Sequence, residues 1–99
     1  MLFVLEGVDA PNSLPKRKLA RPAHLARVQA LLDANRLMIA GPMPAIAAED
    51  PGDAGFSGSL IIAEFASQQE AEHWLSNDPY TIDGIFERIT VRPFRKVLP

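Results

Sequence analysis

Cysteine is absent from the 99 residues. That excludes disulfides, a thiolate nucleophile and cysteine-ligated metal, and it fits a reducing compartment. An excess of positive charge is missing too. Ten Lys and Arg stand against twelve Asp and Glu, for a formal net charge of −2. Arg88, Arg92, Arg95 and Lys96 are too few and too interrupted to form the basic stripe that a phosphate backbone demands, so nucleic acid is not an expected partner. No apolar run approaches the roughly 18 residues of a membrane-spanning helix, and no membrane association is expected. Met1 to Leu5 lack the basic region and long apolar run of a secretion signal and read as a first strand. The default location is the cytoplasm. Gly52, Gly55 and Gly58 lack the spacing and the strand-to-helix setting of a phosphate loop. The two histidines, His24 and His73, lie far apart, and Asp9, Asp50, Asp53 and Asp78 offer no ligand spacing around them. No metal and no cofactor are expected. Ser57 and Ser59 lack a nucleophile elbow and read first as strand and turn hydroxyls.

What is present fits one domain over residues 1–99, large enough to bury a modest core. The stretch from Arg21 to Leu32 carries the most information. At 100° per residue Leu25, Val28 and Leu32 form an apolar stripe, widened by Leu31. Projected backwards, the same face carries Arg21 and His24, which are wrong for a core unless they are partnered. Two readings are open. The face runs into a polar pocket at Arg21 and His24, or the helix starts at Pro22 and Arg21 lies at the solvent rim.

Leu2 to Leu5 is an apolar strand ending near Glu6 and Asp9, where a first strand often opens into a site. Ser13 is placed to cap the helix that follows, with Pro15 in its first turn. Lys16, Arg17 and Lys18 read as a solvated face. Pro22 removes one helical bond, so the helix restarts or bends there, and it ends near Ala34 and Asn35. Arg36 to Ala40 is a second strand, terminated by Gly41-Pro42-Met43-Pro44. Ala45 to Gly55 is a surface loop, long enough for a lid or a hairpin connection. Phe56 to Phe65 is a third strand. Ser67-Gln68-Gln69-Glu70 is a capping box opening a second helix with Ala71, Trp74 and Leu75 on one face and His73 beside it, solvated or structural. Pro79 ends that helix. Tyr80 to Gly84 is a connection, Ile85 to Arg92 a fourth strand with Pro93 at an edge or at its end, and Phe94 to Pro99 a tail.

The order strand, helix, strand, strand, helix, strand predicts an α+β, ferredoxin-like βαββαβ sandwich with a four-stranded antiparallel sheet. Two helices cover one face of that sheet. The strands are apolar on both parities, so the other face needs cover as well, and a second copy packed sheet against sheet supplies it. A homodimer is expected.

Arg21-Pro22-Ala23-His24-Leu25, Gly41-Pro42-Met43-Pro44, Asp50-Pro51-Gly52 followed by Gly55-Phe56-Ser57-Gly58-Ser59, Asn77-Asp78-Pro79-Tyr80 and Val91-Arg92-Pro93-Phe94 occur in an order and spacing that is fairly specific. With them, nearly the whole chain resembles the YciI-like, YCII-related family. The resemblance implies a ferredoxin-like fold, dimers that pair their sheets into an α+β barrel, and a pocket whose histidine and aspartate are proposed as an active site. Here those residues are His24 and Asp78. A relative is a dehydrochlorinase of chlorinated hydroxyquinols, and barrels of similar shape include muconolactone isomerases and monooxygenases acting on aromatic rings.

The expected pocket holds Arg21, His24, Pro42, Ser59, Asp78 and Tyr80. Tyr80 either lies over it or seals the second helix against the sheet. A His/Asp pair without metal, nucleotide fold or activated serine suits general acid–base proton transfer. Asp78 would hold the imidazole's tautomer and stabilise the imidazolium. Arg21 would take a substrate carboxylate or a developing enolate or phenolate. The leading reading is therefore an isomerase or lyase, including dehydrohalogenation, acting on a small unsaturated or aromatic acid. The other class is a non-catalytic dimer that binds a small metabolite or serves as an accessory domain beside an enzyme.

Overall fold

The computed structural model describes residues 1–99. Strand β1 (Leu2–Asp9) leads to helix α1 (Leu14–Asp33), strand β2 (Leu37–Pro44), a single 3-10 turn at Gly52–Ala54, strand β3 (Phe56–Glu64), helix α2 (Gln68–Ser76), a short helix α3 (Pro79–Ile82) and strand β4 (Phe86–Phe94). The sheet order is β2-β3-β1-β4 with every pair antiparallel. This is the ferredoxin-like α+β arrangement that the element order predicts.

Alternation along the strands sorts the sheet into two faces. Phe3 and Leu5 of β1 and Ile61 and Ala63 of β3 are buried and share their core with Val28 and Leu31 of α1 and Ala71 and Leu75 of α2. The opposite face carries Ile39, Ile62, Val4 and Arg92 in one cross-strand row, and Leu60, Glu6 and Thr90 in the next. Nothing in the chain covers this second face, and Ile39 is 55% exposed.

Several boundaries differ from the expectations. β2 does not stop at Ala40 but runs through Pro42 to Pro44, and β4 continues through Pro93 to Phe94. Both are edge strands. A strand with one neighbour has N–H groups that face no partner, so a proline there forfeits no ladder bond. Helix α1 starts at Leu14 and passes Pro22 as one element, so it does not restart there. Ser13 holds the N-cap position without a capping bond, because its hydroxyl donates instead to Asp9 Oδ2 at 3.0 Å. The Ser67 hydroxyl does cap α2, accepting from Glu70 N–H at 3.1 Å. The connection after Pro79 is helical: Asp78 caps α3 by accepting from Tyr80 N–H at 3.0 Å.

The inward face of α1 is Arg17, Ala20, His24, Val28 and Leu31. It is rotated from the expected stripe, leaving Leu25 42% and Leu32 50% exposed. Arg17 and His24 can lie inward because carboxylates from other elements meet them, and that centres the buried face on polar positions.

Two glycines allow the centre of the sheet to close. A Cβ on Gly7 would lie 2.5 Å from the Phe86 ring, and one on Gly58 would lie 2.2 Å from the Gly7 carbonyl oxygen. The first neighbour is a side chain, whereas the second is backbone of the paired strand. Gly58→Ala is therefore expected to destabilise the protein by about 3 kcal/mol through overpacking. Urea unfolding with an unchanged midpoint would contradict this.

Candidate functional site

Between α1 and the β2–β3 edge of the sheet lies a pocket of about 290 Å³. Arg17, Arg21, His24 and Val28 of α1 enter it at helical spacing, one above the other. Leu37, Ala40, Gly41 and Pro42 come from β2, Ser59 and Ile61 from β3, and Tyr80 from α3. Of the residues expected here, Arg21, His24, Pro42, Ser59 and Tyr80 line the pocket directly. Asp78 stands behind it, fully buried. The pocket and rim readings of α1 each hold in part: His24 is buried, while Arg21 is exposed at the mouth.

His24 Nδ1 lies 2.8 Å from Asp78 Oδ2. The same oxygen accepts Tyr80 N–H, and Oδ1 accepts Arg27 Nη1 at 2.9 Å. Asp78 is thus a buried carboxylate with three donors, the condition under which a buried charge is tolerated. A carboxylate can only accept, so a neutral His24 carries its proton on Nδ1. Its Nε2 makes no hydrogen bond within the protein and is not sealed from solvent. The imidazole is stacked on the Tyr80 ring, with centroids 4.0 Å apart and planes at 9°. Tyr80 is held edge-on by Phe86. Backbone, charge and ring contacts together leave the imidazole little freedom to turn.

Arg27 was not among the expected residues. It sits one turn after His24, and its guanidinium lies over the Trp74 ring at 4.3 Å. Arg17 is a direct correction. It is not on a solvated face but buried, with its side chain only 7% exposed. Its Nε and Nη2 donate to the two oxygens of Asp9 at 3.0 and 3.1 Å. Nη2 also reaches Ser59 Oγ at 2.8 Å and the Gly58 carbonyl at 3.1 Å. Asp9, at the end of β1, thereby reaches the pocket through Arg17. A paired charge is admissible where a lone one is not. The signal in the sequence was periodicity: Arg17 lies four residues before Arg21 and seven before His24 on one helix face.

Burial pushes the Tyr80 phenol above its ordinary value. The Arg17 and Arg21 charges act against that rise, and the Asp78 charge adds to it. The protein has a single tyrosine, so its phenolate absorbance reports this group alone. The midpoint is expected above 10. Because the unfolded phenol releases its proton first, stability should be unaffected below pH 10 and fall as pH rises beyond it. A midpoint at or below 10 would contradict the account.

No group of three or more His, Asp and Glu gathers as a metal-binding set. His73 lies in a different hollow with Arg27, Arg36 and Trp74. Ser57 turns its hydroxyl to the Met43 carbonyl at 3.3 Å. Loop residues Ala45 to Glu49 line a wide, open hollow of about 870 Å³ that shares Pro42 with the pocket. No helix is long and apolar enough to cross a membrane.

Residues 1–95 match the model of the YCII-related domain. Protein YciI of Escherichia coli is 53% identical over 97 residues, 98% of this chain and 99% of its own. An uncharacterized protein of Haemophilus influenzae is 46% identical over the same coverage. Among solved structures, 5-chloro-2-hydroxyhydroquinone dehydrochlorinase (TftG) from Burkholderia phenoliruptrix, in complex with 2,5-dihydroxybenzoquinone, superposes with a TM-score of 0.82 at 32% identity. That match covers 96% of this chain and 94% of TftG. With the family model and full-length relatives in agreement, the chain belongs to the YCII-related domain family.

Proposed function

We propose that the protein is a small-molecule enzyme, an isomerase or lyase in which His24 moves a proton and Asp78 holds it in position. The observation that carries this reading is the placement of His24. Its Nδ1 is committed to a fully buried carboxylate, while its Nε2 is left without a partner on a residue that lines a pocket. A base needs an open lone pair within reach of substrate, and an orienting carboxylate steadies the imidazolium once the proton has moved. Arg21 makes no ion pair and stands at the mouth, free to meet an anionic group on an incoming substrate.

The likeness to TftG supports dehydrohalogenation within this class. Loss of HCl from a chlorinated hydroxyquinol needs a base and a departing chloride. Two hydroxyl protons leave their oxygens: one is delivered to the chlorine-bearing carbon as the ring takes its keto form, and the other goes to His24 as chloride leaves with the carbon–chlorine bonding pair. The ring is left as a hydroxyquinone, so no external oxidant is consumed. The test is to incubate the purified protein with 5-chloro-2-hydroxyhydroquinone and a panel of small unsaturated acids, following chloride and proton release. Turnover of any member that His24 variants lose supports the proposal. Saturable binding across the panel with no turnover supports the metabolite-binding class instead.

The assembly we propose is a homodimer formed through the uncovered sheet face, closing two sheets into an α+β barrel. Three neighbouring members of one row, Val4, Ile62 and Ile39, are apolar, with Arg92 at the β4 end, and an apolar patch on a sheet face is a liability when left in water. Light scattering at micromolar concentration is expected to give about twice 10.8 kDa, and a persistent monomer would contradict it.

A further inference from the structure

We infer that Arg17, through Nη1, is a binding residue for a deprotonated oxygen on the ring or conjugated chain of the substrate. The inference rests on the pocket reading above but concerns binding rather than turnover. Three of the guanidinium's five N–H groups serve the protein: Nε and Nη2 hold Asp9, and Nη2 also reaches Gly58 and Ser59. Nη1 has no acceptor, yet no buried polar side-chain atom in the protein lacks a partner. The small exposed part of this buried side chain therefore includes Nη1, and the cavity that Arg17 borders is the pocket. A side chain more than nine-tenths buried thus keeps Nη1 unpaired and accessible beside the pocket it lines.

The guanidinium is also fixed in plane. It lies over the Phe56 ring at 4.9 Å and the Tyr80 ring at 4.8 Å, while Asp9 grips one edge. Arg21, by contrast, is exposed and makes no ion pair. The two acids nearest the pocket do not compete for the ligand, because Asp9 and Asp78 have their oxygens engaged by Arg17, Ser13, His24, Arg27 and Tyr80. The pocket therefore presents fixed N–H donors and a free cation, with no free carboxylate. The ligand chemistry it fits is a planar conjugated acid bound as its anion: a phenolate, an enolate or a vinylogous carboxylate. Arg17 takes the oxygen deep in the pocket, and Arg21 attracts the charge at the mouth.

The test uses 2,5-dihydroxybenzoquinone, which ionises at its hydroxyls, and 2,5-dimethylbenzoquinone, which has nearly the same shape and cannot. Calorimetric binding to the wild type is expected to favour the ionisable compound by at least about tenfold, the scale of one charge-assisted hydrogen bond. Arg17→Lys keeps a cation for Asp9 but removes Nη1, and it should lose most of that preference while its unfolding remains cooperative. Arg21→Gln should lower the preference less than Arg17→Lys does, and the part it removes should shrink as salt is raised. If Arg17→Lys does not fold, a crystal structure of the wild type with dihydroxybenzoquinone decides: a ligand oxygen within hydrogen-bonding distance of Nη1 supports the inference. The inference is overturned if the wild type does not discriminate, if folded Arg17→Lys discriminates as well as the wild type, or if the bound anion leaves Nη1 facing water. None of these readouts requires turnover. Selective binding without catalysis would remove the enzyme reading and leave the anion site, and catalysis without selectivity would do the reverse.

Discussion

Turnover is expected to fall by about 10²–10⁴-fold when His24 is replaced by alanine, the range general acid–base catalysis contributes. Asp78→Asn should produce a loss of similar size for a different reason. The asparagine keeps the shape of the side chain, but its carbonyl must choose between the Tyr80 N–H, Arg27 and His24, and its amide group cannot accept. The imidazole then loses the acceptor that holds its proton on Nδ1. His24→Ala removes a half-stack on Tyr80 and should leave the protein folded. Asp78→Asn also weakens the cap of α3 and leaves the partly exposed Arg27 to solvent, a stability cost of about 1–3 kcal/mol. Initial rates on a turned-over substrate, taken with circular dichroism of each variant, check both expectations. A folded His24→Ala protein with wild-type rates would contradict them.

Arg17→Met is expected to be the most damaging single substitution to stability, at about 3–5 kcal/mol. The Asp9 side chain is only 2% exposed, and without Arg17 it is left with the Ser13 hydroxyl as its one side-chain donor. Coulomb attraction is lost and the desolvation cost of the carboxylate stays. A second change, Asp9→Asn, should recover a large part of the loss, because the residual buried group is then neutral. Urea unfolding of the single and double variants measures the coupling. A single variant within about 1 kcal/mol of the wild type would contradict the account, as would a double variant no more stable than the single one.

Much of the fold was legible because its signals were local. The apolar runs Leu2 to Leu5 and Leu60 to Phe65 announce strands, Ser67 announces α2, and Asn77-Asp78-Pro79 announces its end. The extent of β2 and β4 was not legible, since a proline stops a central strand but not an edge strand, and strand order is a tertiary fact. Arg17 was misread for a similar reason. Beside Lys16 and Lys18 it belongs to a charged run, and only the return of Asp9 from β1 and Ser59 from β3 makes its burial possible. His24 was visible as a polar residue on an apolar helix face. Asp78 could be joined to it only through the family resemblance, because nothing in the spacing of positions 24 and 78 shows that the helix ends meet. Arg27 gave no signal apart from its place one turn after His24.

The claim on which the rest depends is that Asp78 holds His24 with Nε2 open to the pocket. Nitrogen-15 NMR of the neutral His24 imidazole tests it without any substrate. The protonated ring nitrogen should be Nδ1, Nε2 should show the shift of an unprotonated nitrogen, and Asp78→Asn should redistribute the two forms. A ring protonated on Nε2, or a mixture of tautomers indifferent to Asp78→Asn, would contradict the account.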